Sequence, residues 1–208
     1  MTISSILTRT DATRRTVLVG LGAAAGALAV GARPAAAFTV GDARMLIDSV
    51  VRDVNAIIAS GRAEAAMLRE FEMLFARYAD VPTIARSALG PAARTASNAE
   101  LQAFTRAFQG YIARKYGRRF REFIGGAIEV TDARPLRSYF EVVSIARLRG
   151  QSPFDLRWHV SDRGGRPMFF NIIIEGINML AAERTEIQAI LERRRGSIAA
   201  LTADLNAL

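Results

Sequence analysis

The sequence predicts an α+β domain: N-terminal helices packed on a curved antiparallel sheet of about four strands, closed by C-terminal helices. Three observations carry the fold class. Apolar residues recur at helical spacing from Gly41 to Gly117, switch to alternation from Ala127 to Ile174, and return to helical spacing after Gly176. Turn residues separate the alternating runs, at Gly150-Gln151-Ser152-Pro153 and from Asp162 to Pro167. Helices and strands come in blocks and do not alternate, which argues against a parallel βαβ sheet.

Residues 1–37 are set apart from the domain. Thr13-Arg14-Arg15-Thr16-Val17-Leu18 is a twin-arginine pattern, an Ala- and Gly-rich apolar run follows from Val17 to Val30, and Arg33-Pro34 leads into Ala35-Ala36-Ala37. The run is too short for a bilayer span and has the layout of a signal-peptide core with small residues before the cut. The expectation is a twin-arginine-type signal peptide cleaved after Ala37, a periplasmic location, and one domain over residues 38–208.

The first helix is expected from Gly41 to Ser60, with Met45, Ile47, Val50, Val51, Val54, Ile57 and Ile58 on its stripe. Gly61 punctuates it. Leu68, Phe71, Leu74, Phe75 and Tyr78 mark a second helix, and Asp80-Val81-Pro82 opens a short third one that closes at Gly90. Ser97 and Glu100 form a capping box for a fourth helix carrying Leu101, Phe104, Phe108, Ile112 and Tyr116. Arg114, Lys115, Arg118, Arg119 and Arg121 cluster at its end, where cations suit the helix dipole. The functional alternative for that cluster is a docking patch for lipid headgroups or a membrane-associated partner.

Strands are expected over residues 127–131 and 138–149, with 132–136 as a connection around Pro135. The next strand alternates cleanly, with Phe154, Leu156, Trp158 and Val160 opposite Asp155, Arg157, His159 and Ser161. After a turn with two glycines free to take positive φ, Met168, Phe170, Ile172 and Ile174 share one face, while Phe169 and Ile173 make the other apolar too. A strand apolar on both faces is expected to be covered on both. Glu175-Gly176 hands over to a helix with Met179, Leu180, Ile187, Ile190 and Leu191, and a last turn or two follows Gly196.

A tryptophan in an alternating strand, a glycine-bearing turn, an apolar strand ending in Ile174-Glu175-Gly176-Ile177 and a closing amphipathic helix resemble the MlaC family. Those are periplasmic phospholipid-binding proteins of lipid-transport ABC systems, also called toluene-tolerance proteins. Tyr78-Ala79-Asp80 and Ile84-Ala85-Arg86 followed by Leu89-Gly90 are similar to the same family. This chain has Asn171-Ile172 where the family usually has Asp-Val, and Asn178 where it usually has Ser. The resemblance implies a space between sheet and helices that acyl chains occupy. The residues whose faces point into it are Phe71, Phe75, Phe104, Phe108, Val143, Ile145, Trp158, Phe170, Ile172, Ile174 and Met179. It also implies transient partners, an outer-membrane lipoprotein complex and an inner-membrane ABC transporter complex, and no cofactor. Some relatives are associated with hopanoid biosynthesis, so a polycyclic triterpenoid is the alternative ligand.

Composition excludes several chemistries. The chain has no cysteine, hence no disulfide, thiolate metal site or cysteine nucleophile, and its one histidine leaves little scope for a zinc site or a Ser-His-Asp relay. The formal charge of +8 invites a nucleic-acid reading. The leader carries four arginines against one aspartate, however, so the remainder stands at +5 and no nucleic-acid partner is expected. His159 is expected at the surface, on the polar face beside Asp155 and Arg157. Asp162-Arg163-Gly164-Gly165 joins two strands, which makes it a hairpin turn and no phosphate loop. Glu175 is expected to be a paired strand-end charge or a helix cap. An enzyme on the same fold would need Glu175 or Asp155 as an inward acid or base, and a solid-core envelope protein would need no ligand at all; no catalytic constellation is visible.

Overall fold

The computed structural model describes residues 37–117 and 124–208 and follows the expected order of helices, sheet and helices. The signal-peptide reading, and Arg118, Arg119 and Arg121 of the basic cluster, lie outside the described residues. Helix α1 is Val40–Ala59, α2 Glu64–Tyr78, α3 Val81–Leu89 and α4 Asn98–Gly117, with a 3-10 turn over Gly90–Arg94 between the last two. The strands are β1 Ala127–Pro135, β2 Phe140–Arg147, β3 Phe154–Ser161, β4 Met168–Ile174 and β5 Ile177–Asn178, followed by α5 Met179–Arg193 and α6 Ile198–Ala207.

Local chemistry starts the helices. Asp42 N–H donates to Thr39 Oγ1 at 3.2 Å while Asp42 Oδ2 accepts from Thr39 N–H at 2.9 Å, and Ser97 and Glu100 make the same reciprocal pair before α4. Asp80 caps α3 through Thr83 N–H, with Pro82 in the first turn. Helix α1 buries Ile47, Val50, Val51, Val54, Ile57 and Ile58, as its period predicts, but leaves Met45 exposed. The Tyr78 hydroxyl donates to Asp53 Oδ2 at 2.6 Å and ties α2 to α1.

The sheet is a meander in the order β1-β2-β3-β4-β5, every neighbouring pair antiparallel. Two bulges separate it from the alternation read in the sequence. In β1 the pairing steps from Val130 opposite Ser144 to Asp132 opposite Val143, so Thr131 is the extra residue and the strand runs on to Pro135 rather than stopping. In β4 it steps from Phe169 opposite Val160 to Asn171 opposite His159, and Phe170 is the extra residue. This inverts the expected faces around it. Phe169 turns into the core, and Phe170 lies against Tyr139 and His159 on the other side. The fifth strand is two residues long, made by the Glu175-Gly176 turn, where both residues have positive φ. In the turn before β4 only Gly165 uses a positive φ; Gly164 packs closely on Met168 and Asp80.

Both sheet edges are occupied, which blunts their tendency to pair with other chains. Asn55 of α1 acts as a strand substitute for β1, its Nδ2 donating to Ile128 O at 3.2 Å and its Oδ1 accepting from Ile128 N–H at 3.4 Å. Arg44 adds a bond to Val130 O. At the far edge, Asp80 N–H donates to Phe169 O at 2.8 Å, and β5 covers the other end of β4. The Tyr78-Ala79-Asp80 stretch is therefore where the helical layer is stitched to the sheet. Within that layer α4 packs on α6, α2 and α3, and α5 packs on α3.

Candidate functional site

The two faces of the sheet differ in chemistry. One carries Val142, Ser144 and Ala146 of β2, Leu156, Trp158 and Val160 of β3, and Phe169 of β4, all buried. With the helices these side chains form one contiguous apolar cluster, rimmed by half-buried Phe75, Ile172, Ile174 and Leu180. Trp158 stands at its centre. The indole N–H donates to Ser144 Oγ at 2.8 Å, and the ring meets Phe169 edge-on at 5.3 Å, which in turn contacts Phe75 at 6.2 Å. A buried indole needs such a partner for its single donor.

The eleven residues predicted to line one space do not all meet there. Phe71, Phe104, Phe108 and Trp158 are buried in the apolar cluster, Phe75, Ile172 and Ile174 pack against it half-buried, and Phe170, also half-buried, meets it from the His159 side. Phe104 meets Phe108, and Phe108 meets Tyr111, in tilted ring contacts along α4, inside the helical layer. Val143 and Ile145 point to the opposite face of β2, since alternation puts them out of phase with Val142 and Ser144. Met179 is the half-buried first residue of α5.

Two concavities among the described residues are open clefts. One, about 500 Å³, is lined by Ile145, Pro153, Phe154, Asp155 and Glu175; the other, about 350 Å³, by Pro82, Thr83, Arg86 and Ser87. Asp155 and Glu175, the two carboxylates weighed for acid-base work, share the larger cleft, and Glu175 N–H donates to Asp155 O at 3.2 Å. Asp155 is bound to Arg157 at 2.7 Å and Glu175 is exposed in a left-handed turn. Glu175 does not cap α5; Asn178 does, accepting from Ala181 N–H at 3.0 Å.

Two polar clusters escaped the sequence reading. His159 is not a surface histidine. It is 8% exposed, covered by the rings of Tyr139 and Phe170, with its Nε2 facing Glu141 Oε2 at 3.5 Å and its Nδ1 facing Asn171 Nδ2 at 3.3 Å. Burial holds the ring below the ordinary histidine pKa, and Glu141 partly offsets this. Glu141 is itself buried and bound by Arg134. The strand ranges contained this site only once the register placed Glu141 opposite His159.

The second cluster joins α4 to α5. Lys115 Nζ donates to Glu183 Oε1 at 2.7 Å, to Tyr111 Oη at 2.9 Å and to Glu186, while Tyr116 donates to Glu183 as well. Burial works against the Lys115 charge, but its carboxylate partners outweigh it and hold the ammonium charged. Glu183 is 3% exposed, and its Oε2 has no hydrogen-bond partner among the described residues. Among the described residues no group of His, Cys, Asp and Glu side chains is arranged to hold a metal ion.

Comparison with known proteins bears on the region as a whole. The family model described as MlaC protein matches residues 48–207. The solved structure of a phospholipid-binding protein from Ralstonia solanacearum, in complex with a phospholipid, superposes with a TM-score of 0.68 at 18% sequence identity. The match covers 79% of this chain and 95% of that chain, and at this identity it establishes a shared fold.

Proposed function

Because this chain belongs to the MlaC family, matched over residues 48–207, we propose that it is a phospholipid carrier and not an enzyme. The family match is the observation that carries the reading. The solved relative with the same fold is described with a phospholipid bound, and the two-layer architecture supports a place for acyl chains between the helices and the Trp158 face of the sheet. Side chains of both layers meet there in one apolar cluster. In this reading the half-buried rim of Phe75, Ile172, Ile174 and Leu180 along β4 is where acyl chains enter.

The energetics fit a carrier. Each methylene withdrawn from water is worth about 0.8 kcal/mol, so two long acyl chains amount to roughly 20 kcal/mol and forbid rapid passage through water. An interior as apolar as a bilayer makes transfer from membrane to protein nearly even, and no chemical step is needed. In this reading the chain is exported through its twin-arginine leader, works in the periplasm, and shuttles lipid between an outer-membrane lipoprotein complex and an inner-membrane ABC transporter complex. A polycyclic triterpenoid is the alternative cargo.

Vesicles carrying a labelled phospholipid test the activity. The carrier reading expects label to move from floated vesicles to the protein fraction and to saturate near one lipid per chain. Label that stays with the vesicles at every protein concentration overturns it. Fractionation of cells producing the tagged full chain tests the location, with mature protein in the periplasmic fraction as the expected result.

A further inference from the structure

His159, the only histidine of the chain, lies in a run of polar contacts anchored at both ends by groups that can only donate. At one end the Leu180 N–H can only donate, and it donates to Asn171 Oδ1 at 3.1 Å. That orients the amide, so Asn171 Nδ2 is the group facing His159 Nδ1 at 3.3 Å, and it too can only donate. The bare ring nitrogen is therefore Nδ1, and the ring proton sits on Nε2, facing Glu141 Oε2 at 3.5 Å. At the other end Arg134 donates to Glu141 Oε1. The run crosses β1 to β4 and ends on the first turn of α5, where Asn178 takes the next N–H, that of Ala181.

We propose that His159 is a proton-operated latch on the start of α5, because its protonated ring and the Asn171–Leu180 bond exclude each other. A proton can add only at Nδ1. The ring then presents N–H to the Asn171 amide nitrogen, and two donors face one another. Turning the amide gives the ring its acceptor but sets NH2 against the Leu180 N–H. In either arrangement a buried donor loses its partner, which is costly at a helix start that has few other acceptors.

The charged and titratable groups around the ring leave this conflict in place. Glu141 faces it from β2 and favours the proton, but Arg134 from β1 holds the other oxygen of Glu141. Tyr139, just before β2, lies on the ring. On the same strand, Arg157 is engaged with Asp155, and β4 presents the uncharged Asn171 and Phe170. Burial disfavours the charged ring, so the latch is closed near neutrality and opens on acidification. It sits on the sheet face opposite Trp158, and Asn171 links it to Leu180 of the half-buried rim. Any effect on lipid exchange rests on the carrier reading above; the latch itself does not.

Amide exchange on the full, lipid-free chain tests the latch without reference to cargo. As the pH is lowered from about 7.5 until the His159 ring itself has titrated, the protection factor of the Leu180 amide, normalised for intrinsic exchange, should fall about tenfold, the worth of one lost hydrogen bond. In His159→Gln it should not change over that range. In Asn171→Asp it should be retained at the acidic end, because a carboxylate accepts from both the protonated ring and Leu180 N–H. Nitrogen NMR of the single histidine should show the Nε2–H tautomer at neutral pH. Leu180 protection that is constant in the unsubstituted chain, or that falls equally in His159→Gln, overturns the proposal, as does an Nδ1–H tautomer.

Discussion

The indole of Trp158 and the hydroxyl of Ser144 hold each other at 2.8 Å in the middle of the sheet, both fully inside the apolar face. Ser144 is a polar residue at a core position of β2, and the donor it satisfies explains it. Ser144→Ala leaves the Trp158 N–H without a partner, and the expected cost is about 1–3 kcal/mol in urea unfolding, with a shift in Trp158 emission. A neutral result would show that the indole finds another acceptor.

Asn55 is expected to matter for solubility as much as for stability. Asn55→Ala frees both the N–H and the C=O of Ile128 at the β1 edge. Each lost bond is worth about 1 kcal/mol, and an open edge favours association. Light scattering during storage should rise in the variant, whereas substitution of exposed Met45 by a polar residue should change neither property.

Lys115 neutralises a carboxylate that burial would otherwise penalise. Lys115→Met leaves Glu183 buried without its cation. The expected loss is about 3 kcal/mol, the lower part of the range for breaking a buried pair, since Tyr116 still donates to the same oxygen. The double variant Lys115→Met with Glu183→Leu should recover most of it, because removing both partners removes the uncompensated charge.

Stability should fall in two separable stages as the pH is lowered. Burial holds His159 below its ordinary value of about 6.5, so the unfolded chain takes up that proton first. Stability should therefore fall as the pH drops through about 6.5 and level off below the folded value. Hydrogen bonds from Thr39 and Ser97, and the bond from Arg194, hold Asp42, Glu100 and Asp204 below the usual carboxylate range. Their contribution is present at neutral pH and is lost roughly two units lower than that of His159. Denaturation midpoints across pH should show both stages, and His159→Gln should abolish the upper one alone.

Much of the fold was legible because local chemistry and packing agree: the Ser97 box opens α4, the Asp162 to Pro167 turn joins β3 to β4, and the α1 stripe faces inward. The bulges at Thr131 and Phe170 were not. An extra residue leaves the alternation intact up to its own position and inverts it beyond, so the faces of Phe169 and Phe170 were exchanged. The burial of His159 depends on register with Glu141 and on the rings of Tyr139 and Phe170, none of which alternation encodes. Glu183 reads as an ordinary helical glutamate until α4 brings Lys115 and Tyr116 against it. The candidate lining fared likewise: Trp158 and Ile172 share the helix-covered face, and Val143 and Ile145 do not.

Native mass spectrometry of the protein purified without detergent tests the central claim most directly. The carrier reading predicts an adduct with the mass of one phospholipid, or of a polycyclic triterpenoid if that is the cargo, and loss of that adduct on incubation with excess acceptor vesicles. A bare polypeptide mass that stays bare after incubation with lipid vesicles contradicts it and leaves the filled interior around Trp158 as a solid core.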